Sequence, residues 1–187
     1  MTASFDPVAN ESTSDREIVI TRLLDAPREL AFAAWTDPEK VVKWWGPNGF
    51  TTTIERMDVR PGGVWKYVMH GPDGANYPNK TVYEEIVPPE RLVYTHSGGD
   101  PVPGERAVQF RSTVTFVQQG GQTKITMQMV FKTPDDRQYV VEKYGAIEGA
   151  VQHLARLNEC NHELLTRNVL RISRLVFAPH TLLRRLV

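Results

Sequence analysis

The sequence predicts an α+β protein: one long antiparallel sheet, closed by a single amphipathic helix near the C-terminus. Three observations predict it. From residue 50 to 131, successive segments carry apolar residues at every second position. Short turns separate these segments, with no helical stretch between them, so neighbours pair antiparallel. From "DDRQYVV" to "LLTRN" (135–168) the period becomes helical for about thirty residues.

The elements follow in chain order. "REIVITRLLDA" (16–26) is rich in β-branched residues and reads as a strand. "PRELAFAAW" reads as a short helix with Pro27 in its first turn and Leu30, Ala31, Ala34 and Trp35 on one face. "TDPEKVVKWW" starts a second helix, with Asp37 as cap and Pro38 at the first helical position, ending at Gly46-Pro47. "FTTTIERMDV" is the next strand and "RPGG" a turn. In "VWKYVMH", Trp65, Tyr67 and Met69 alternate with Lys66, Val68 and His70, so the first three face the long helix and Lys66 and His70 face water. "TVYEEIV" and "RLVYTHS" are strands joined by "PPE". "AVQFRSTVTFVQQ" and "QTKITMQMVFK" form a hairpin around Gly120-Gly121. Ile147, Ala150, Val151, Leu154, Asn158, Asn161 and Leu165 make the stripe of the closing helix, which must bury itself on the sheet.

Composition excludes several classes. The chain has 187 residues, 41% hydrophobic and 24% charged, with a formal net charge of zero, so nothing points to nucleic acid. One cysteine, Cys160, rules out an internal disulfide. No apolar run reaches the roughly 18 residues of a membrane span. The stretch 1–14 is polar, without a basic start or apolar core, and is expected to be a disordered lead-in to a cytoplasmic protein. Residues 167–187 stand apart, with five arginines, no acid and many interspersed leucines and valines. They form an extension to the domain at 15–166, and Pro179 should end any helix near Phe177. Packing on the domain itself, a homodimer contact or an anionic membrane surface are the roles open to this extension, and packing, on itself or in a homodimer, is favoured over the membrane.

The sequence resembles the START/SRPBCC superfamily, in the branch named after the activator of heat-shock-protein-ninety ATPase. Ala26-Pro27, Trp35-Thr36-Asp37-Pro38, Trp44-Trp45-Gly46-Pro47 and Arg60-Pro61-Gly62-Gly63-Val64-Trp65 carry the resemblance. "VMHGPDG", "EEIVPPERLVYTH" and "GAIEGAVQHLARL" add to it, over roughly residues 15–165. The resemblance implies a helix-grip fold, with a curved sheet of about six to seven strands around the long helix and a cavity between them. It also implies a stress-response setting and a chaperone as one kind of partner. In this fold one ring of Trp44 and Trp45 would pack inward and the other would cover the cavity rim.

The cavity candidates are Trp35, Trp44, Trp45, Trp65, Tyr67 and Met69 from the first half of the domain. Tyr83, Tyr94, His96, Met127, Met129, Phe131 and Leu154 complete the set. Whether they fill a core or line a ligand site stays open at this level. His96 has no visible partner for base catalysis and reads as a histidine bonded at its strand end. His153 lies off the stripe, exposed or at the mouth. Cys160 and His162 point apart on a helix, and no metal or cofactor motif appears. Of Glu84 and Glu85, strand alternation lets at most one enter the cavity, and Arg91 reads as a solvated hairpin residue. The leading expectation is binding of a small, mostly hydrophobic molecule by a domain that is non-catalytic or of unknown activity. The alternatives are a chaperone-stimulating interaction domain and an enzyme resembling polyketide cyclases.

Overall fold

The computed structural model describes residues 9–10, 14–98 and 106–176, with side chains over 14–98 and 106–166. A two-residue strand, β1 (Ala9–Asn10), and β2 (Glu17–Leu24) precede two short helices, α1 (Arg28–Thr36) and α2 (Pro38–Trp44). Then come β3 (Thr51–Met57), β4 (Val64–His70), β5 (Asn76–Val87), β6 (Arg91–His96), β7 (Phe110–Gln119) and β8 (Gln122–Phe131). Helices α3 (Pro134–Tyr144) and α4 (Ala146–Val176) close the fold. The strands make one antiparallel sheet in the order β1-β2-β8-β7-β6-β5-β4-β3. This is the helix-grip α+β architecture that the sequence predicts.

Local chemistry explains the boundaries. Asp37 caps α2 by accepting from the Glu39 amide at 3.0 Å, and Thr133 caps α3 by accepting from the Asp136 amide at 3.1 Å. The turn after Asp58 requires Gly63, where an added Cβ would lie 2.0 Å from the Asp58 carbonyl oxygen. β5 begins five residues before the predicted start and contains Pro78. β6 ends opposite Thr81, so no strand flanks β5 there and Pro78 needs no donor on that side.

One expectation is corrected. The single closing helix is two helices, because Gly145 adopts a left-handed conformation (φ 59°) and ends α3 with its amide on Val140 and Val141. Ala9–Asn10, inside the expected lead-in, pair with Thr21 and Ile20. The rest of residues 1–13 lies outside the described residues. Helix α4 crosses the expected 166/167 boundary and runs on to Val176. The stop at Pro179 lies outside the described residues.

The registers define rows across the inner face of the sheet. One row is Met57, Trp65, Thr81, His96, Phe110 and Phe131. The next is Tyr83, Tyr94, Ser112, Met129 and Ile18, and a third is Ile86, Leu92, Val114, Met127 and Ile20. β8 alternates without fault, burying Thr123, Ile125, Met127, Met129 and Phe131. Helix α4 approaches β2, α1, α2 and α3, and it buries Ala150, Leu154, Leu157, Asn158 and Asn161. Leu157 belongs to the stripe although the sequence pattern did not include it, whereas Ile147, Val151 and Leu165 are only half-buried.

Candidate functional site

The four tryptophans, from three elements, meet beneath α4. Trp44, at the end of α2, donates its indole N–H to the Ala34 carbonyl at 2.9 Å and packs at a tilt of 57° against Trp35 with centroids 4.8 Å apart. Trp45 is the C-cap of α2, where the backbone leaves the helix in an extended conformation. Its ring lies edge-on to Trp35, Trp44, Trp65, Tyr67 and His153, at 5.7, 5.1, 4.7, 5.9 and 5.0 Å. Trp45 is 8% exposed and Trp44 is fully buried, so neither ring covers a rim. The expectation of one inward and one rim ring is therefore corrected: the turn at the helix end aims both rings inward.

Side chains of α4 hold the loop that follows. One Arg156 guanidinium nitrogen donates to the carbonyls of Gly46, Pro47 and Phe50 at 2.7, 2.8 and 3.1 Å. Gln152 accepts from the Asn48 amide, and Asn158 accepts from the Asp25 amide, both at 2.9 Å. Thr52 donates to the Trp45 carbonyl at 2.7 Å. Neither Arg156 nor Thr52 is singled out by sequence reasoning, because a half-buried arginine and a strand threonine carry no motif.

Most candidates come together. Trp65 stacks on Tyr67 at 4.3 Å, Tyr83 meets Tyr94 at 6.1 Å, and both pairs face inward. Met127, Met129, Phe131 and Leu154 are buried around them, and Met69 is partly buried beside the cluster. Lys66 keeps a largely solvated side chain near Glu55, and His70 bonds Thr53 and Asn76 at the surface. His96 stacks on Phe110 at 4.7 Å. Its ring lies deep yet keeps a strip of surface, and burial lowers its pKa to about 4. His153, expected to be exposed or at the mouth, is half-buried against Trp45. Its Nδ1 donates to the Gly149 carbonyl at 2.7 Å. Burial lowers its pKa to about 4 as well, against the effect of that backbone bond and together with the Arg156 charge.

The polar tips of this cluster are the notable chemistry. The indole N–H groups of Trp35, Trp45 and Trp65, the Thr81 hydroxyl and the Tyr83 hydroxyl are sealed from solvent without a hydrogen-bond partner. The Tyr67 hydroxyl interacts with the polar tips of Trp45 and Thr81, and the Tyr94 hydroxyl with those of Ser112 and Trp35, outside strict hydrogen-bond geometry for the indoles and Thr81; the Trp65 N–H and the Tyr83 hydroxyl have no such neighbour. Burial pushes the pKa of all three tyrosines above the ordinary phenol range, so each stays protonated. Thr81 and Ser112 were missed as site residues. Strand alternation with Tyr83 and with Val114 already places them on the inner face.

No carboxylate or arginine of the hairpin enters. A bulge between Tyr83 and Glu85 turns both glutamates to the outer face. There Glu84 accepts from Thr95 and Arg111, and Glu85 accepts from Arg91. The bulge breaks the alternation that would have sent one of the two inward. Cys160 is buried and His162 is exposed. Among the described residues no three His, Cys, Asp or Glu side chains converge as a metal site, and no helix is long and apolar enough to cross a membrane.

The family model described as activator of Hsp90 ATPase homolog 1-like protein matches residues 25–161, which takes in the helix pair, the tryptophan cluster and most of the buried face of α4. The chain belongs to this family. Solved structures similar to this member of the activator of Hsp90 ATPase homolog 1-like family support the same fold. An Arthrobacter aurescens protein is 23% identical, with a TM-score of 0.75 over 87% of this chain and 93% of that one. A Mycobacterium smegmatis protein is 24% identical, with a TM-score of 0.71 over 83% and 96%. A Silicibacter pomeroyi protein that itself bears the family name is 21% identical, with a TM-score of 0.63 over 81% and 99%. No functionally curated protein matches the sequence.

Proposed function

We propose that the protein binds a small, mostly hydrophobic molecule between the inner face of the sheet and α4, without catalysing a reaction on it. The observation that carries this reading is the set of sealed, unpartnered polar atoms on Trp35, Trp45, Trp65, Thr81 and Tyr83. Leaving such a group unbonded costs about 1–3 kcal/mol. Native interiors hold few of them, and each calls for a partner. Five in one aromatic cluster fit a site whose partner is a bound molecule. The surrounding rings and methionines supply apolar contact that adapts to ligand shape.

The family description suggests a chaperone-stimulating role instead, which would need a broad apolar docking face. The exposed large apolar residues among those described are scattered. Leu23 and Val117 flank Lys124 in one cross-strand row, and Tyr144 stands at the end of α3. A polyketide-cyclase-like enzyme would use inward ionisable side chains; those present are Tyr67, Tyr83, Tyr94, His96 and His153, which burial holds in their neutral forms, while Glu84, Glu85 and Arg91 are paired on the outer face. Titration with Nile red, an uncharged solvatochromic dye, tests the binding reading. Saturable, near-stoichiometric binding with blue-shifted emission is expected, and native mass spectrometry of protein purified from its own cells should show a retained small molecule. Failure of both rejects the reading.

A further inference from the structure

We propose that the interior site is selective for an uncharged apolar ligand bearing a hydrogen-bond acceptor of carbonyl type, seated where β4, β5 and β6 face Trp35 and Trp45. This deepens the binding reading above and rests on it.

The donor inventory is one-sided. An indole N–H can only donate, while threonine and tyrosine hydroxyls can donate or accept. Three of the five sealed, unpartnered atoms are therefore obligate donors, and the other two adapt to whatever they meet. They converge in space. Trp65 lies opposite Thr81 in the β4–β5 register, and Trp45 lies 4.7 Å from Trp65 by ring centroid. Tyr83 lies opposite Tyr94, whose hydroxyl sits beside Trp35 and Ser112. A pure hydrocarbon would leave the Trp65 N–H and the Tyr83 hydroxyl without a partner, and the Trp35 and Trp45 N–H groups with only the poorly aligned Tyr94 and Tyr67 hydroxyls. A ketone, lactone or similar carbonyl oxygen offers two lone pairs and adds no charge.

A charged ligand finds no counter-ion here. Lys66, Arg91 and Arg111 lie on the outer face with Glu55, Glu85 and Glu84. Arg156 is committed to three loop carbonyls. Arg22, on the inner face of β2, sits in the field of Glu159 and Asp25. Burial keeps His96 neutral and the tyrosines protonated at physiological pH, so the walls carry donors and no formal charge. An anion would lose its hydration without an ionic partner, which is costly in such surroundings.

Three probes on one bicyclic frame test this: 1-tetralone, tetralin and tetralin-1-carboxylate, with dissociation constants from NMR titration of the full chain. The tetralone should bind on the order of tenfold more tightly than tetralin, as expected for one or two donors regaining a partner. The carboxylate should bind most weakly, and the indole N–H resonances should shift with the tetralone and not with tetralin. The double variant Thr81→Val/Tyr83→Phe should narrow the difference between tetralone and tetralin affinity. Equal affinity for tetralone and tetralin, or preference for the carboxylate, overturns the acceptor proposal. So does saturable Nile red binding with none of the three probes bound, and in each of these cases interior binding still stands. If neither Nile red nor any probe binds, the binding reading fails and this proposal fails with it.

Discussion

Replacing Tyr83 by phenylalanine should stabilise the ligand-free protein, the opposite of what most core substitutions do. Tyr83 is 1% exposed, its ring faces Tyr94, and its hydroxyl has no partner. The unpaired hydroxyl costs about 1–3 kcal/mol. Its oxygen returns only a few dispersion contacts, each about 0.1–0.2 kcal/mol, so less than about 1 kcal/mol is lost on removing it. The net expectation is a gain of about 1 kcal/mol, or about 2–4 °C in Tm for a chain of this size. The assay is thermal and urea unfolding of protein refolded from denaturant to strip any bound molecule, at pH 7. The same variant should weaken tetralone binding, and this opposition of stability and binding is the signature of a site residue left strained for function. A Tm that falls by a similar amount would mean the hydroxyl is bonded in the free protein, and the donor reasoning would be refuted at this residue.

Trp45→Ala should cost about 3–5 kcal/mol by urea unfolding with an unchanged m value, because its ring contacts five aromatic neighbours. A loss below about 1 kcal/mol with altered Nile red binding would show that the ring covers the site instead of building it. Arg156→Met should strip three loop carbonyls of their donor and lower Tm by several degrees, with faster amide exchange at Phe50; unchanged exchange there would show that the loop is held otherwise. His96 and His153 have folded pKa values below the ordinary histidine value, so their neutral forms are favoured by folding. That stability is fully present above about pH 6.5 and is lost as pH falls toward about 4, at up to about 1.4 kcal/mol per pH unit for each ring. Urea midpoints between pH 7 and 4.5 should fall accordingly and flatten in the double variant His96→Gln/His153→Gln. Their residual surface contact makes the full slope an upper bound.

Strand periodicity, turn residues and caps are local physics, and they were legible residue by residue. Asp37-Pro38 starts α2, Gly120 with φ 61° closes the β7–β8 turn, and Trp65, Tyr67 and Met69 share the inner face as alternation demands. Gly145 was legible too, since a glycine followed by a new apolar turn is a helix C-terminus signal, but the long helical stripe on either side masked it. The sequence by itself therefore determined most of the elements, their order and the family resemblance. Tertiary structure decided the rest. The bulge after Tyr83 is set by pairing with β6, and it alone turned Glu84 and Glu85 to the same outer face. The inward turn of Trp45 depends on how α2 meets β4 and α4, which no local pattern encodes. The donor cluster draws on residues as far apart as Trp35 and Ser112, brought side by side by strand register and helix docking. Such proximity is a long-range property of the packed chain, so the site became readable only once the sheet had been assembled beneath its helices.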